Sequence, residues 1–193
     1  MKHYSKDTIS KIGNAIVYLS DRIPDLSKTK LLKLLYLLEE CSAIKNKTPF
    51  FGLNFEVWQA GPVIKDVYID LSNDQPSLLK DYITTRTDGN NTYISGKTPF
   101  CDDEFSDIDI ELIEYVVSKY GNKTAKQLVK YTHNKNSAWY KAASENGLIE
   151  LFNSGRANHS NIEVDLTHYL SGCDSQLYAE NKEVMDAFNM LKK

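Results

Sequence analysis

Glycine-rich phosphate loops are missing from this chain. Its nine glycines are scattered and neither GxxxxGK nor GxGxxG occurs, so the usual backbone cradle for a nucleotide is not encoded. Cysteine is scarce. Cys41, Cys101 and Cys173 are odd in number and far apart, which excludes a disulfide framework and a CxxC pair and fits a reducing cytoplasm. No GxSxG turn marks a nucleophile, and His133, His159 and His168 do not stand at zinc-ligand spacing. Long apolar runs are also lacking: the leucine-rich stretch Leu31–Leu38 is followed at once by Glu39 and Glu40 and is far too short to span a bilayer. The start MKHYSKDTIS has no apolar core of a secretory signal. A formal charge of −3 with 25% charged residues gives no global drive toward nucleic acid or membrane. Neither repeats nor low-complexity tracts are visible, and the length suits one domain, with room for a small appendage.

What is present centres on Lys28–Leu71. Between Leu31 and Leu38 only Lys33 interrupts leucine and tyrosine, so a helix here is apolar almost all round and buried on several sides. Ser27 is placed to cap it, Leu26 to staple onto Leu31, and Thr48-Pro49 to stop it, which predicts a helix from Lys28 to about Asn46. Leu53, Phe55 and Val57 then alternate with polar residues and Trp58, the pattern of a half-buried strand. Gly61-Pro62 is expected to restart a helix with proline at its first position, carrying Ile64, Val67, Tyr68 and Leu71 on one face.

Upstream, Ile9, Ile12, Ile16, Leu19 and Ile23 form a helical stripe, expected to pack on the leucine-rich helix. Downstream, SNDQPS reads as a loop, and Tyr82–Thr87 with Thr92–Ser95 as a hairpin around Asp88-Gly89-Asn90-Asn91. Its strands are expected to pair with residues 53–58 in one small sheet, since an isolated hairpin is marginal. Ser106 with Asp109, and Thr124 with Gln127, stand at capping-box spacing and open two helices; Ser137–Asn146 is a third, closed by Gly147. The acidic run from Asp102 to Asp109 reads as a solvated helix start rather than a cation site. The rest is less regular: SGRANHSN is an exposed loop, Leu166–Leu170 a turn or two, and Leu177, Val184, Phe188 and Leu191 predict a last amphipathic helix docking on the body. The fold class is thus mostly α with a small antiparallel sheet.

Residues 123–143 outline helix, turn, helix, with Lys126, Lys130 and Lys135 available for phosphates. The segment contains no arginine, the main reader of base edges, and lysine-bearing helix pairs are common in α-rich proteins, so DNA binding is the alternative reading.

KLLKLLYLLEECSAI, WQAGPVIKDVY and IELIEYVVSKYGNKTAKQLVKYTHNKNSAW, in this order, resemble the Panacea domain of the SocA-like antitoxin family, also met as a phage-associated domain of unknown function. The similarity runs from about Ile9 to about Ala143. Its most specific pieces are Trp58-x-x-Gly61-Pro62-Val63 with Tyr68, and Tyr120-Gly121 followed by Thr132-His133 and Trp139. The resemblance implies a non-enzymatic protein that binds and neutralises a toxin encoded beside it, and a type of relative hands its toxin to a cytoplasmic protease. The residues themselves agree in pointing to a cytoplasmic protein with no cofactor or metal motif. On this reading residues 1–147 are the Panacea-like domain and 148–193 an extension with a docking helix. Trp58, Tyr68, His133 and Trp139 become the candidate partner contacts, and Gly61, Pro62 and Val63 a structural motif. Packing of Trp58 on the Gly-Pro turn competes with exposure, and the tail from Asn153 is an equal candidate for partner choice.

Overall fold

The computed structural model describes residues 4–73 and 75–191. The start of the leader reading (residues 1–3), one position of the SNDQPS loop (74) and the end of the tail (192–193) lie outside them.

Two helices open the chain. Ser5 accepts the amide of Thr8 at 3.1 Å and starts α1 (Lys6–Arg22); Ser27 accepts the amide of Lys30 at 3.4 Å and starts α2 (Lys28–Asn46). Every residue of α2 from Leu31 to Ala43 is buried, as its continuous apolarity demands. The helix ends on Lys47 in the left-handed region, φ 56°, ahead of the proline read as its stop. Ile12, Ile16 and Leu19 of α1, and Ile23 just after it, join the leucines of α2 in one apolar cluster, while the main neighbours of α1 are a hairpin and α4 (Asp107–Tyr120).

The β structure differs from the expectation in pairing. Residues 53–58 do not join the hairpin. Instead β1 (Glu56–Trp58) turns through Gln59 and Ala60 and pairs with β2 (Gly61–Val63), and the hairpin β3 (Ile83–Asp88) with β4 (Asn91–Gly96) forms a second sheet. A two-residue connection closes β1 on β2 at a smaller entropic cost than a long-range pairing. The hairpin is held instead by α1 and by the amide of Ile94 donating to Leu26 O at 2.9 Å.

Gly61-Pro62 likewise does not open a helix. Gly61 has φ 96° and Pro62 lies in β2, because Lys33 Nζ donates to Pro62 O at 2.7 Å and holds this carbonyl toward α2. The helix α3 (Lys65–Asp70) begins only after Ile64. Asp70, fully buried at its end, accepts the amides of Ser77, Leu78 and Leu79 at 2.7–3.0 Å and folds the polar loop back onto the body.

Both capping boxes form, opening α4 and α5 (Ala125–Thr132); α6 (Ala138–Glu145) follows, capped by Ser137. The stretch read as less regular contains a further helix, α7 (Leu148–Asn153), while the turn expected at Leu166–Leu170 forms as a 3-10 helix, Leu166–Tyr169. Packing runs across residue 147: Leu148 and Phe152 share a small core with Val57, Trp139, Ala142 and Ala143, and Leu166 and Tyr178 enter the main one.

The last helix, α8 (Cys173–Leu191), docks on a different face from the one expected. Leu177, Val184 and Leu191 are 45%, 69% and 86% exposed, and Phe188 is exposed too. The docked side carries Tyr178, which is buried, Asn181, whose amide donates to Lys47 O at 2.8 Å, and Met185, seated on Gly52. The burial of Tyr178 in the main core, the seat of Met185 and the Asn181 bond therefore set the rotation of the helix, rather than the stripe of Leu177, Val184, Phe188 and Leu191. Among the described residues no helix is long and apolar enough to cross a membrane.

Candidate functional site

Of the residues quoted for the SocA-like resemblance, Trp58, Gly61, Pro62, Val63, Thr132, His133 and Trp139 converge on the β1–β2 elbow, while Tyr120 and Gly121 lie elsewhere, against Tyr131 and Lys30. Three of the elbow's carbonyls are held from different parts of the chain. Trp139 Nε1 donates to Trp58 O at 3.1 Å, His133 Nε2 lies 3.0 Å from Gln59 O, and Lys33 reaches Pro62 O. The amide of Gln59 donates to Asn158 O at 2.9 Å and its side-chain amide to Phe152 O at 2.8 Å, so the tail closes the elbow from outside. Gly61 is required twice over: its φ of 96° suits glycine, and a Cβ there would stand 2.8 Å from Thr132 Oγ1 and 2.9 Å from Lys33 Cε. Pro62 and Val63 are buried beside it.

These positions sort by what they leave at the surface. Trp139 is 2% exposed and stacks on Phe152, so its ring is spent in the interior. His133 is half-buried against Trp139, with Nδ1 2.5 Å from Val129 O. Both ring nitrogens therefore face carbonyls, and a neutral ring has one proton for the two. Burial pushes its pKa down, the two carbonyls pull it up, and the Lys33 ammonium pushes it down again, leaving it below the usual value. Trp58 and Tyr68 remain half-buried and meet edge to face at 4.7 Å, with His159 5.6 Å from the indole. Glu56 accepts from Trp58 Nε1 at 2.9 Å, and Lys28 lies over the Tyr68 ring at 4.6 Å. Trp58, Tyr68 and His159 thus make a small aromatic surface with a charged rim. His159 escaped the sequence reading because it lies in the polar SGRANHSN loop, with no local signal tying it to Trp58.

The same hub carries buried ionisable groups to which the sequence reading gave no role. Lys33 is fully buried and its pKa is pushed down to about 7 by desolvation. Glu39 is buried too, and burial pushes it up to about 7 although it accepts the amides of Phe50 and Phe51 at 3.1 and 2.8 Å. Glu40, raised by burial, accepts the hydroxyls of Tyr36 and Tyr169 at 3.0 and 2.6 Å. Their partners lie in the fold itself. Among the described residues no group of His, Cys, Asp and Glu is arranged to hold a metal ion.

Lys126, Lys130 and Lys135 are exposed. The start of α6, which a helix-turn-helix would present to a groove, is covered instead: Tyr169 Oη accepts the amide of Ala138 at 2.9 Å, and His168 Nε2 lies 3.1 Å from Asn136 O.

No curated protein and no solved structure matches the chain. The sequence model of the family described as "Antitoxin SocA-like, Panacea domain" matches residues 31–140, which spans α2, the elbow, α3, the hairpin, α4, α5 and the start of α6. With more than half of its length matched and most of the shared residues gathered on one elbow, the chain belongs to the SocA-like antitoxin family and carries its Panacea domain.

Proposed function

We propose that the protein is the antitoxin of a two-component toxin–antitoxin system and neutralises a toxin encoded by the adjacent gene through direct binding in the cytoplasm, without catalysis. Membership of an antitoxin family carries this reading. The form of the molecule supports it. A hub buried on all sides holds a rigid elbow, and beside that elbow Trp58 and Tyr68 present an aromatic surface rimmed by Glu56, Lys28 and Lys65. Pre-organised aromatic anchors with a polar rim suit a protein partner better than a small substrate.

The test is co-expression with the adjacent gene product. That product alone is expected to arrest growth, the pair to grow, and the two chains to co-purify as a stable complex. A harmless neighbour, or rescue without a complex, would overturn the proposal. Following toxin abundance in the rescued cells, with and without the principal cytoplasmic proteases, separates simple sequestration from delivery to a protease. DNA binding through Lys126, Lys130 and Lys135 is the weaker reading, since the start of α6 is occupied by the 3-10 helix; an operator complex lost on replacing these lysines would revive it.

A further inference from the structure

A groove runs beside α8 and has no role in the elbow. Its largest section, about 470 Å³, lies between the Leu53–Phe55 segment, residues 163–167 and the flank of α8 that carries Tyr178, Glu183 and Asp186. Smaller sections continue it past Leu53 and Asn54 to Glu56, next to the aromatic surface. Leu53, Val164 and Ala179 supply apolar lining. The charge along it is one-sided. Glu56, Asp66, Glu163, Asp165, Glu183 and Asp186 line it with two lysines, Lys65 and Lys182, which pair with Glu56 at 3.9 Å and Asp186 at 3.1 Å, a larger negative balance than the −3 of the whole chain.

One wall also offers backbone. Val57 N donates to Ile162 O at 2.8 Å and Val164 N to Phe55 O at 2.7 Å, flanking the antiparallel bridge between Glu56 and Glu163. The bridged pair is therefore of the non-hydrogen-bonded kind, and the N–H and C=O of Glu163 point away from β1 along an exposed edge. An edge of this sort accepts an added strand, whose alternate side chains fall on opposite sides.

We propose that this groove receives an extended, lysine- or arginine-bearing segment of the partner protein, paired to the 162–164 edge, with its cationic side chains on Glu163, Glu183 and Asp186. The inference rests on the partner-binding reading above and names the chemistry of what is bound. It places recognition largely on residues after 148, beyond the family-matched stretch, so that a shared body would carry a segment-specific groove.

The probe is a fluorescein-labelled peptide alternating lysine and valine, compared with its glutamate–valine counterpart, added to the full chain at low and at physiological salt. Binding of the basic peptide alone, weakening with salt, is expected. In the combined variant Glu163→Gln, Glu183→Gln, Asp186→Asn its affinity should fall by about tenfold or more, while the equally neutralised control Glu111→Gln, Glu145→Gln, Glu150→Gln should keep it. Equal binding of the acidic peptide, or undiminished binding by the groove variant with an unchanged melting temperature, overturns the proposal. So does a chain dimer in sedimentation that the groove variant abolishes, since the occupant would then be a second copy. Failure of toxin rescue alongside groove-dependent peptide binding would sink the neutralisation reading and leave the groove standing.

Discussion

Lys33 Nζ, buried in the first half of α2, donates to the carbonyl oxygen of Pro62 at 2.7 Å. This bond explains why a Gly-Pro pair that suits a helix start lies in a strand, and it ties the hub to the elbow. Lys33 sits in the interior with its pKa lowered from 10.5 to about 7 by desolvation. A lowered folded-state pKa contributes stability that is fully present above 10.5 and is lost as pH falls through about 7. Denaturant midpoints of the wild type should therefore decline from alkaline pH toward neutrality. In Lys33→Met this decline should flatten, at the cost of leaving Pro62 O without its donor. An unchanged slope would show that the amine stays charged in the interior.

Glu39 has the opposite sign. Its pKa is raised from 4.5 to about 7, so its contribution is full below 4.5 and is lost as pH rises through about 7. Glu39→Gln should remove this acid-side slope. It should also lower stability by about 1–3 kcal/mol, because a neutral amide accepts from only one of the Phe50 and Phe51 amides and faces the other with a donor. Urea unfolding across the acid and neutral range reads both effects.

Gly61→Ala should destabilise the protein by about 2 kcal/mol or more, since the added Cβ meets Thr132 Oγ1 and Lys33 Cε while the backbone stays at positive φ. Thermal melting checks the loss. A melting temperature equal to the wild type would mean that the elbow relaxes freely and is not the rigid support described.

Trp58→Ala and Tyr68→Ala should each weaken the complex with the adjacent gene product by about 2 kcal/mol or more if their shared surface is the anchor. Trp139→Ala should act differently, lowering stability by about 3–5 kcal/mol through loss of a buried ring and of its bond to Trp58 O. Calorimetric affinity measured beside melting temperature separates the two behaviours. Growth rescue with both Trp58 and Tyr68 removed would move the interface elsewhere.

His133 makes a pH prediction of its own. Its folded pKa lies below the usual 6.5, so the stability it contributes is present above 6.5 and is lost as pH falls through the lowered value. NMR titration of the ring should show a late, low midpoint, absent when His133 is replaced by Gln. A midpoint above 6.5 would mean that the two carbonyls outweigh burial and the charge of Lys33.

Much of the helical frame was legible because its signals act over three or four residues. Ser27 and the following prolyl stop bound α2 at its observed limits, and Ser106–Asp109 and Thr124–Gln127 close their boxes within one turn. Of the candidate site, the coming together of Trp58, Gly61, Pro62, His133 and Trp139 was visible only as a shared pattern, with no geometry. The buried Lys33, Glu39, Glu40 and Asp70 were not legible at all, because a charged letter reads as surface until its partner is known.

For this protein, then, the chain's own order of residues determined the limits of α2 and the starts of α4 and α5, the apolar hub and the family it belongs to, the first two through short-range hydrogen bonding and a run of leucines that water excludes. Tertiary structure alone decided which face of α8 turns inward, which strand β1 pairs with, and where the carboxylates gather into a groove. Those outcomes depend on groups such as Lys47 O, Pro62 O and Asn158 O that lie far along the chain from their donors, and a backbone carbonyl carries no mark in the sequence.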